Sequence, residues 1–171
     1  MKIFYTLVFV LFGVLAYAQT DIELNKIKLT VEQINKDTSY TTKTLKNEQF
    51  LAKMTDGGGQ LTGYFKNGEL LKIIERIGLS SCININEYYL QDNKLIFIYI
   101  RGKEFKYIDS LSTFYSGVQT LTMDCRFLFQ DDKLLKSFLN GSTRCSGQPS
   151  DSWARIYQDN FLRYLNLLTK R

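Results

Sequence analysis

The chain has 171 residues, with 22 lysine and arginine residues against 17 aspartate and glutamate residues, a formal net charge of +5 and no histidine. The missing histidine excludes Ser-His-Asp and Cys-His catalysis in their usual forms, and it excludes metal sites built on imidazole. The basic residues are scattered without a run of five or more, which favours an ordinary solvated surface over nucleic-acid binding.

The first residues have the pattern of a secretory signal peptide. Lys2 is followed by an apolar run, and then by the small-residue pattern Ala16-Tyr17-Ala18 before Gln19. This pattern predicts a signal peptide over residues 1–18, with an uncleaved anchor as the alternative. No second apolar span of membrane length follows. We therefore expect a single exported domain over residues 19–171, periplasmic or secreted.

Export permits disulfides, and three cysteines leave one unpaired. All three pairings are possible. The sequence favours Cys125 with Cys145, because both flank the last predicted hairpin. Cys82 would then be a buried free thiol or an intermolecular partner.

A helix opens the predicted domain. Between residues 21 and 35 the apolar side chains recur at helical spacing, at Leu24, Ile27, Val31 and Ile34. Residues 38–47 carry no clear pattern, and residues 49–55 are compatible with a strand. The glycine run at 57–59 lacks the Gly-Lys-Ser/Thr ending of a phosphate-binding loop, so we interpret it as a plain loop.

Three hairpins are predicted next. Asn67-Gly68 joins residues 60–66 to 69–77, Asp92-Asn93 lies within 82–100, and Asp131-Asp132 joins 118–130 to 134–139. The segments YFKNGELL, YLQDNKLI and LFQDDKLL around these turns resemble each other. Their unequal spacing argues against a regular repeat, so we interpret the likeness as the common pattern of hairpins rather than duplication.

The middle hairpin has a predicted register. With two loop residues, Leu90 lies opposite Leu95, Tyr89 opposite Ile96 and Tyr88 opposite Phe97. One face then combines Glu87 with apolar residues and is predicted to be core: Ile83, Ile85, Tyr89, Ile96, Ile98 and Ile100. The other face is either covered or a binding surface: Asn84, Asn86, Tyr88, Leu90, Leu95, Phe97, Tyr99 and Arg101.

Residues 103–117 have no clear pattern, and a helix ends the chain. Pro149, Ser150 and Asp151 supply a helix start. Apolar residues then follow at helical spacing: Trp153, Ile156, Tyr157, Phe161, Tyr164, Leu165 and Leu168.

The segments GYFKNGELLKI and EYYLQDNKLIFIYI, together with the predicted signal peptide and terminal helices, resemble small exported bacterial proteins of unassigned function. The resemblance implies a periplasmic or secreted helix-plus-sheet domain. It implies no catalytic residues.

One carboxylate is a candidate for acid–base chemistry. Glu87 falls on the isoleucine-rich face, where burial would raise its pKa. The competing interpretation, which we favour, is an ion pair with a lysine or arginine, because the sequence places no second carboxylate beside it. No cofactor-binding or metal-binding residues are predicted.

Together these patterns predict an α+β domain, in which a curved antiparallel sheet of five to seven strands is packed by N- and C-terminal helices. The expected function is a non-enzymatic binding or inhibitory module outside the cytoplasm, with an unknown protein or envelope component as partner. The expected contact residues are Tyr88, Phe97, Tyr99 and Arg101. The alternatives are a carboxylate-dependent hydrolase acting on envelope glycans or peptides, and a structural protein dimerising through Cys82.

Overall fold

In the computed structural model, which describes residues 21–170, a helix is followed by a seven-stranded antiparallel sheet and a second helix. The strands lie in chain order: β1 (Thr41–Lys46), β2 (Gly59–Lys66), β3 (Glu69–Gly78), β4 (Cys82–Gln91), β5 (Lys94–Ile108), β6 (Thr113–Gln130) and β7 (Lys133–Gly141). Helix α1 spans residues 21–36, and helix α2 spans Trp153–Thr169. The predicted α+β class is confirmed. The predicted signal peptide lies outside the described residues.

Helix α1 belongs to a unit of its own, which ends at Lys36, and a second compact unit begins at Asp37. Ile27 and Ile34 are its buried residues, and Leu24 and Val31 are half-buried. The helical stripe predicted from these four residues is therefore confirmed. The expected packing of this helix on the sheet stays a prediction.

The three predicted hairpins are all present, and they share one turn geometry. Both residues of each two-residue turn have positive φ, as a type I′ turn requires. The values are 53° and 84° at Asn67 and Gly68, 52° and 62° at Asp92 and Asn93, and 47° and 63° at Asp131 and Asp132.

Each of these hairpins also has a bulge at the same place. Leu90 lies opposite Leu95 as predicted, but Tyr89 lies opposite Phe97, so Ile96 is an extra residue in the ladder. Leu71 and Leu135 occupy the same position in the other two hairpins. The predicted pairs Tyr89–Ile96 and Tyr88–Phe97 are therefore wrong, because a β-bulge shifts one strand by one residue.

The bulge decides which side chains share a face, because a one-residue shift moves a strand's side chains to the opposite side. Tyr88 and Leu90 of β4 face α2 together with Ile98 and Ile100 of β5. Ile83, Ile85 and Tyr89 are buried as well, but on the opposite face. The predicted core face was thus correct for Ile98 and Ile100 of β5 and wrong for β4. It was also wrong for Ile96, which is only half-buried, whereas Leu95 belongs to the core.

We call the sheet side that packs against α2 the helix face. Its buried residues form the main core with Ala154, Phe161, Tyr164 and Leu168 of α2. They come from β2 to β6: Leu61, Leu70, Ile73, Tyr88, Leu90, Leu95, Ile98, Ile100, Met123, Cys125, Phe127 and Phe129. The C-terminal helix therefore packs on the sheet as predicted, through the predicted stripe except for Ile156, which is 55% exposed.

The far end of α2 is held by the first strand. Lys43 Nζ donates to the backbone carbonyls of Leu167, Leu168 and Lys170, at 3.3, 2.8 and 3.1 Å. A cation placed on these unsatisfied carbonyls stabilises a helix C-terminus. The edge strand β1 and the end of the chain are joined in this way.

Two sequence-based expectations near the first strands differ from the structure. The strand lies at Thr41–Lys46, where no pattern was recognised, and residues 49–55 form no strand. Leu45 is the single apolar residue of β1, and it packs against the main core from a half-buried position. A polar edge strand gives no hydrophobic period to detect.

The disulfide also differs from the favoured pairing. Cys82 is bonded to Cys145, and Cys125 is a buried free thiol. Cys125 lies on the helix face in the main core, whereas Cys82 opens β4 near the segment that follows β7. The pairing of Cys125 with Cys145 is therefore wrong. A dimer linked through Cys82 does not fit either, because this sulfur is used within the chain.

Candidate binding surface

The sheet side opposite the helix face carries a high density of positive charge. Residues paired directly across antiparallel strands share a face, so the register defines three rows across the sheet. The basic residues in these rows are Lys46, Lys72, Arg76, Arg101, Arg126 and Lys136, and the acidic residues are Glu87 and Asp124. We call this side the cationic face.

The structure brings three of the four predicted contact residues together on the cationic face. Phe97, Tyr99 and Arg101 alternate along β5, and each is half-buried. Tyr88 is not among them, because it points to the helix face, where it is fully buried and stacks on Phe161 with ring centroids 6.3 Å apart. The assignment of Tyr88 to a contact surface is therefore wrong, for the same reason as the register: the bulge at Ile96.

Glu87 is the buried centre of an ion cluster. Its carboxylate lies 2.6 Å from Lys72 Nζ, accepts a hydrogen bond of 2.6 Å from the Tyr89 hydroxyl, and also contacts the Arg101 guanidinium. Burial by itself would raise the pKa of Glu87, but Lys72, Tyr89 and Arg101 outweigh it, and the pKa is lowered. The ion-pair interpretation of Glu87 is confirmed. The carboxylate positions Arg101.

Two guanidinium groups lie close to the Tyr99 ring. Arg101 Cζ is 5.0 Å and Arg126 Cζ is 5.3 Å from the centre of its ring. Its hydroxyl donates to Asp124 Oδ2 at 2.8 Å, and Arg126 contacts the same oxygen at 3.1 Å. Phe97 stacks on Tyr99 with centroids 6.4 Å apart. Each of the two arginines is thus held by the Tyr99 ring and by a carboxylate of the protein, Glu87 for Arg101 and Asp124 for Arg126.

The part of the cationic face around Arg126 and Phe138 is exposed to solvent. The Arg126 side chain is 49% exposed, and Phe138, directly opposite it on β7, is 48% exposed. Arg101 is less exposed, and its Nε atom is buried without a hydrogen-bond partner among the described residues. Lys46, Arg76 and Lys136 have no ion-pair partner within residues 21–170. The positive charge of the face is therefore only partly neutralised.

A cleft of about 550 Å³ lies at one end of the same face. Lys46, Arg76 and Phe105 are among its lining residues, none of which is acidic. The glycine loop forms one wall. Its amides are used within the protein, since Gly57 N donates to Gly78 O, Gly58 N to Thr55 O and Gly59 N to Asn47 Oδ1. The cleft adds basic side chains to the face, and the glycine loop is the plain loop that the sequence predicted.

Sequence reasoning missed several members of the face. Arg126 is one of them, because nothing in the sequence showed that β6 lies beside the strand that carries Tyr99. Phe138 and Lys136 share this face because the third hairpin has the same bulge as the others. The likeness of LFQDDKLL to YLQDNKLI was the one signal that could have placed them.

Comparisons with known proteins assign no family. No family model matches the chain, and neither a search of curated proteins nor a search of solved structures found a significant match. No helix within residues 21–170 is both long and apolar enough to cross a bilayer. In the same range, no group of three or more cysteine, aspartate and glutamate side chains is arranged to hold a metal ion.

Proposed function

We propose that this chain is an exported, non-enzymatic binding module whose cationic face binds an acidic surface of a protein partner. The observation that carries the proposal is the packing of both Arg101 and Arg126 against the ring of Tyr99. Interfaces between proteins are enriched in arginine and aromatic residues and often contain such rigid anchors. The intramolecular disulfide is consistent with an oxidising compartment outside the cytoplasm.

Charge complementarity supports an acidic partner. Of the two carboxylates on the face, Glu87 is already bound by Lys72 and Arg101, and Asp124 is bound by Arg126 and Tyr99. An incoming carboxylate would meet arginines that can donate two parallel hydrogen bonds. A surface that extends over several strands and mixes aromatic and basic side chains favours a folded acidic protein over a small molecule.

The alternative of a hydrolase requires two facing carboxylates at a cleft. The cleft on the cationic face has no carboxylate among its lining residues. A second cleft, on the helix face, has one carboxylate in its lining, that of Glu75. No observation in the described residues favours that alternative.

The test compares two double variants with the same net charge. Arg126→Glu/Lys136→Glu reverses two exposed charges on the cationic face, and Arg155→Glu/Lys53→Glu reverses two exposed charges elsewhere. Binding to poly-L-glutamate is measured by calorimetry at low and moderate salt, after thermal melts have shown that both variants fold. We expect the first variant to lose at least tenfold in affinity and the second to remain within about twofold of wild type.

An equal loss in both variants would mean that only bulk charge matters, and it would overturn the proposal. Heparin is the second probe. If heparin binds more tightly than poly-L-glutamate and shows the same dependence on the variants, the partner is an acidic polysaccharide, and the assignment to a protein is wrong.

A further inference from the structure

The cleft on the helix face, between β3, β4 and the start of α2, has features of a ligand site. Its volume is about 210 Å³, and its polar and aromatic lining residues are Glu75, Asn84, Asn86, Trp153, Tyr157 and Asn160. Pockets for drug-sized ligands are typically about 300–1,000 Å³. A cleft of this size suits a ligand of one ring.

One wall of the cleft presents a buried acceptor that has no donor. Asn86 is only 4% exposed, and its Nδ2 atom donates to Glu75 Oε2 at 2.7 Å. This bond fixes the amide orientation, because the reversed amide would place its oxygen against the carboxylate. Asn86 Oδ1 is then buried and has no hydrogen-bond partner in residues 21–170. Buried polar atoms are nearly always satisfied, by protein groups or by bound molecules that include water, so this acceptor calls for a donor from the cleft.

The Glu75 carboxylate is held in place by the protein. It accepts from Asn86 and from the Tyr164 hydroxyl, with the Tyr88 hydroxyl at 3.5 Å. Arg163, which bonds to Phe50 O at 3.1 Å and to the Tyr164 hydroxyl at 3.2 Å, supports this arrangement. No lysine or arginine lines the cleft itself, so an anionic ligand is disfavoured.

The remaining walls are amphipathic. Trp153 and Tyr157 lie with their ring centroids 6.1 Å apart and are both partly exposed. Asn84 accepts a hydrogen bond from Ser146 through Oδ1 at 3.3 Å, which leaves its NH₂ group to donate. Asn160 adds a second amide. Aromatic surfaces beside amide donors and acceptors match a ring with apolar faces and a hydroxyl-bearing edge.

We propose that this cleft binds one neutral, hydroxyl-rich ring, such as a single sugar unit. A hydroxyl of the ring donates to Asn86 Oδ1, the amides of Asn84 and Asn160 bond to neighbouring hydroxyls, and the ring lies against Trp153. The site is on the opposite side of the sheet from the cationic face. It does not depend on the function proposed for that face.

Trp153 makes the test direct, because it is the only tryptophan in the chain. Its fluorescence is titrated with glucose, galactose, mannose and N-acetylglucosamine, and with their methyl glycosides. We expect at least one of these sugars to give a saturable change. Asn160→Ala should weaken that binding at least tenfold, whereas Asn166→Ala, an exposed asparagine on the same helix, should leave it unchanged.

A second measurement does not depend on any variant. In ¹⁵N-labelled protein, the side-chain amide signals of Asn84, Asn86 and Asn160 should shift on addition of the sugar that changes the fluorescence. Tighter binding of a disaccharide or methyl glycoside than of the free sugar would identify a glycan end as the natural ligand, and the reverse would identify a free sugar.

Two outcomes would overturn the proposal. One is the absence of a fluorescence or amide response to every sugar up to its solubility limit. The other is a response to the diamine putrescine alone, which would show that the donor to Asn86 is an ammonium group rather than a hydroxyl.

Discussion

Glu75 and Glu87 show how the same side chain can have opposite roles on adjacent strands. Both are nearly fully buried, at 2% and 6% exposure, but they lie on opposite faces of the sheet. Glu75 contacts neutral donors, and burial raises its pKa in spite of them. Glu87 contacts two cations and a tyrosine hydroxyl, which lower its pKa in spite of burial. The charge of the nearest donors accounts for the difference.

The contributions of the two carboxylates to the unfolding free energy should therefore depend on pH in opposite directions. The pKa of Glu87 is lowered, so its contribution is present above the ordinary value of 4.5 and is lost as pH falls through the lowered value. We expect Glu87→Gln to reduce the unfolding free energy by about 3 kcal/mol near neutral pH, because Lys72 and Arg101 lose their partner. This reduction should become smaller in acid. Urea unfolding at a series of pH values measures the reduction near neutral pH and its decrease in acid.

Glu75→Gln is the matched control. The pKa of Glu75 is raised, so its contribution is full below 4.5 and is lost as pH rises through the raised value. The Gln variant should be at least as stable as wild type near neutral pH and should lose this advantage in acid. If both variants showed the same dependence on pH, the assignment of these two environments would be wrong.

Among the strands and turns, the three hairpins carry one repeated local design. Each eight-residue segment ends on the residue that bulges, Leu71, Ile96 or Leu135. The two turn residues before it have φ angles that only glycine adopts without strain, although asparagine and aspartate tolerate them better than other residues. The likeness in sequence thus corresponds to a likeness in backbone geometry, whatever its origin.

This geometry predicts opposite effects at equivalent turn positions. Asp132 has φ of 63° and Gly68 has φ of 84°. Asp132→Gly should raise the unfolding free energy by about 0.5–1 kcal/mol, and Gly68→Ala should lower it by about 1 kcal/mol. An added Cβ at Gly68 meets no heavy atom within 4 Å, so the effect there comes from the backbone alone. Chemical denaturation measures both, and a stabilising Gly68→Ala would contradict the assigned turn type.

Local patterns were sufficient to predict most elements but not their relative placement. Turn residues and alternation located β2 to β7, and helical spacing located α1 and α2. The register of β5 was missed because a bulge has no hydrophobic signal of its own: Ile96 looks like any other strand residue. The cationic face was only partly predicted. Which residues lie side by side across its strands depends on the three bulges, and it also depends on which strands are neighbours. Glu75, Asn84 and Asn86 of the second cleft lie on strands whose packing against α2 no local pattern specifies.

At the scale of the whole molecule, one covalent bond links distant parts of the second unit. The disulfide joins the start of β4 to the segment after β7, across 63 positions of the chain. Closing a loop of this length stabilises a fold by about 4 kcal/mol in the chain-entropy model. The bond therefore ties the middle of the sheet to the segment that leads into α2.

The pairing of Cys82 with Cys145 predicts the number of free thiols in the protein and the effect of reduction on its stability. Burial raises the pKa of the Cys125 thiol, so the native protein should not react with a thiol reagent, and the unfolded, unreduced protein should expose one thiol. Reduction should lower the unfolding free energy by about 4 kcal/mol. Cys125→Ala serves as the control: it should remove the thiol and keep the disulfide. A peptide map that joined Cys125 to Cys145 would contradict the structure.

The order of the strands has a consequence for how the molecule assembles. Strands that are neighbours in the chain are neighbours in the sheet, so the sheet itself contains no crossover connection. This order keeps the separation between paired residues smaller than a crossover would, and smaller separations favour faster folding. The C-terminal helix and Cys145 follow all seven strands in the chain. Helix docking and disulfide formation therefore need not precede the pairing of the strands.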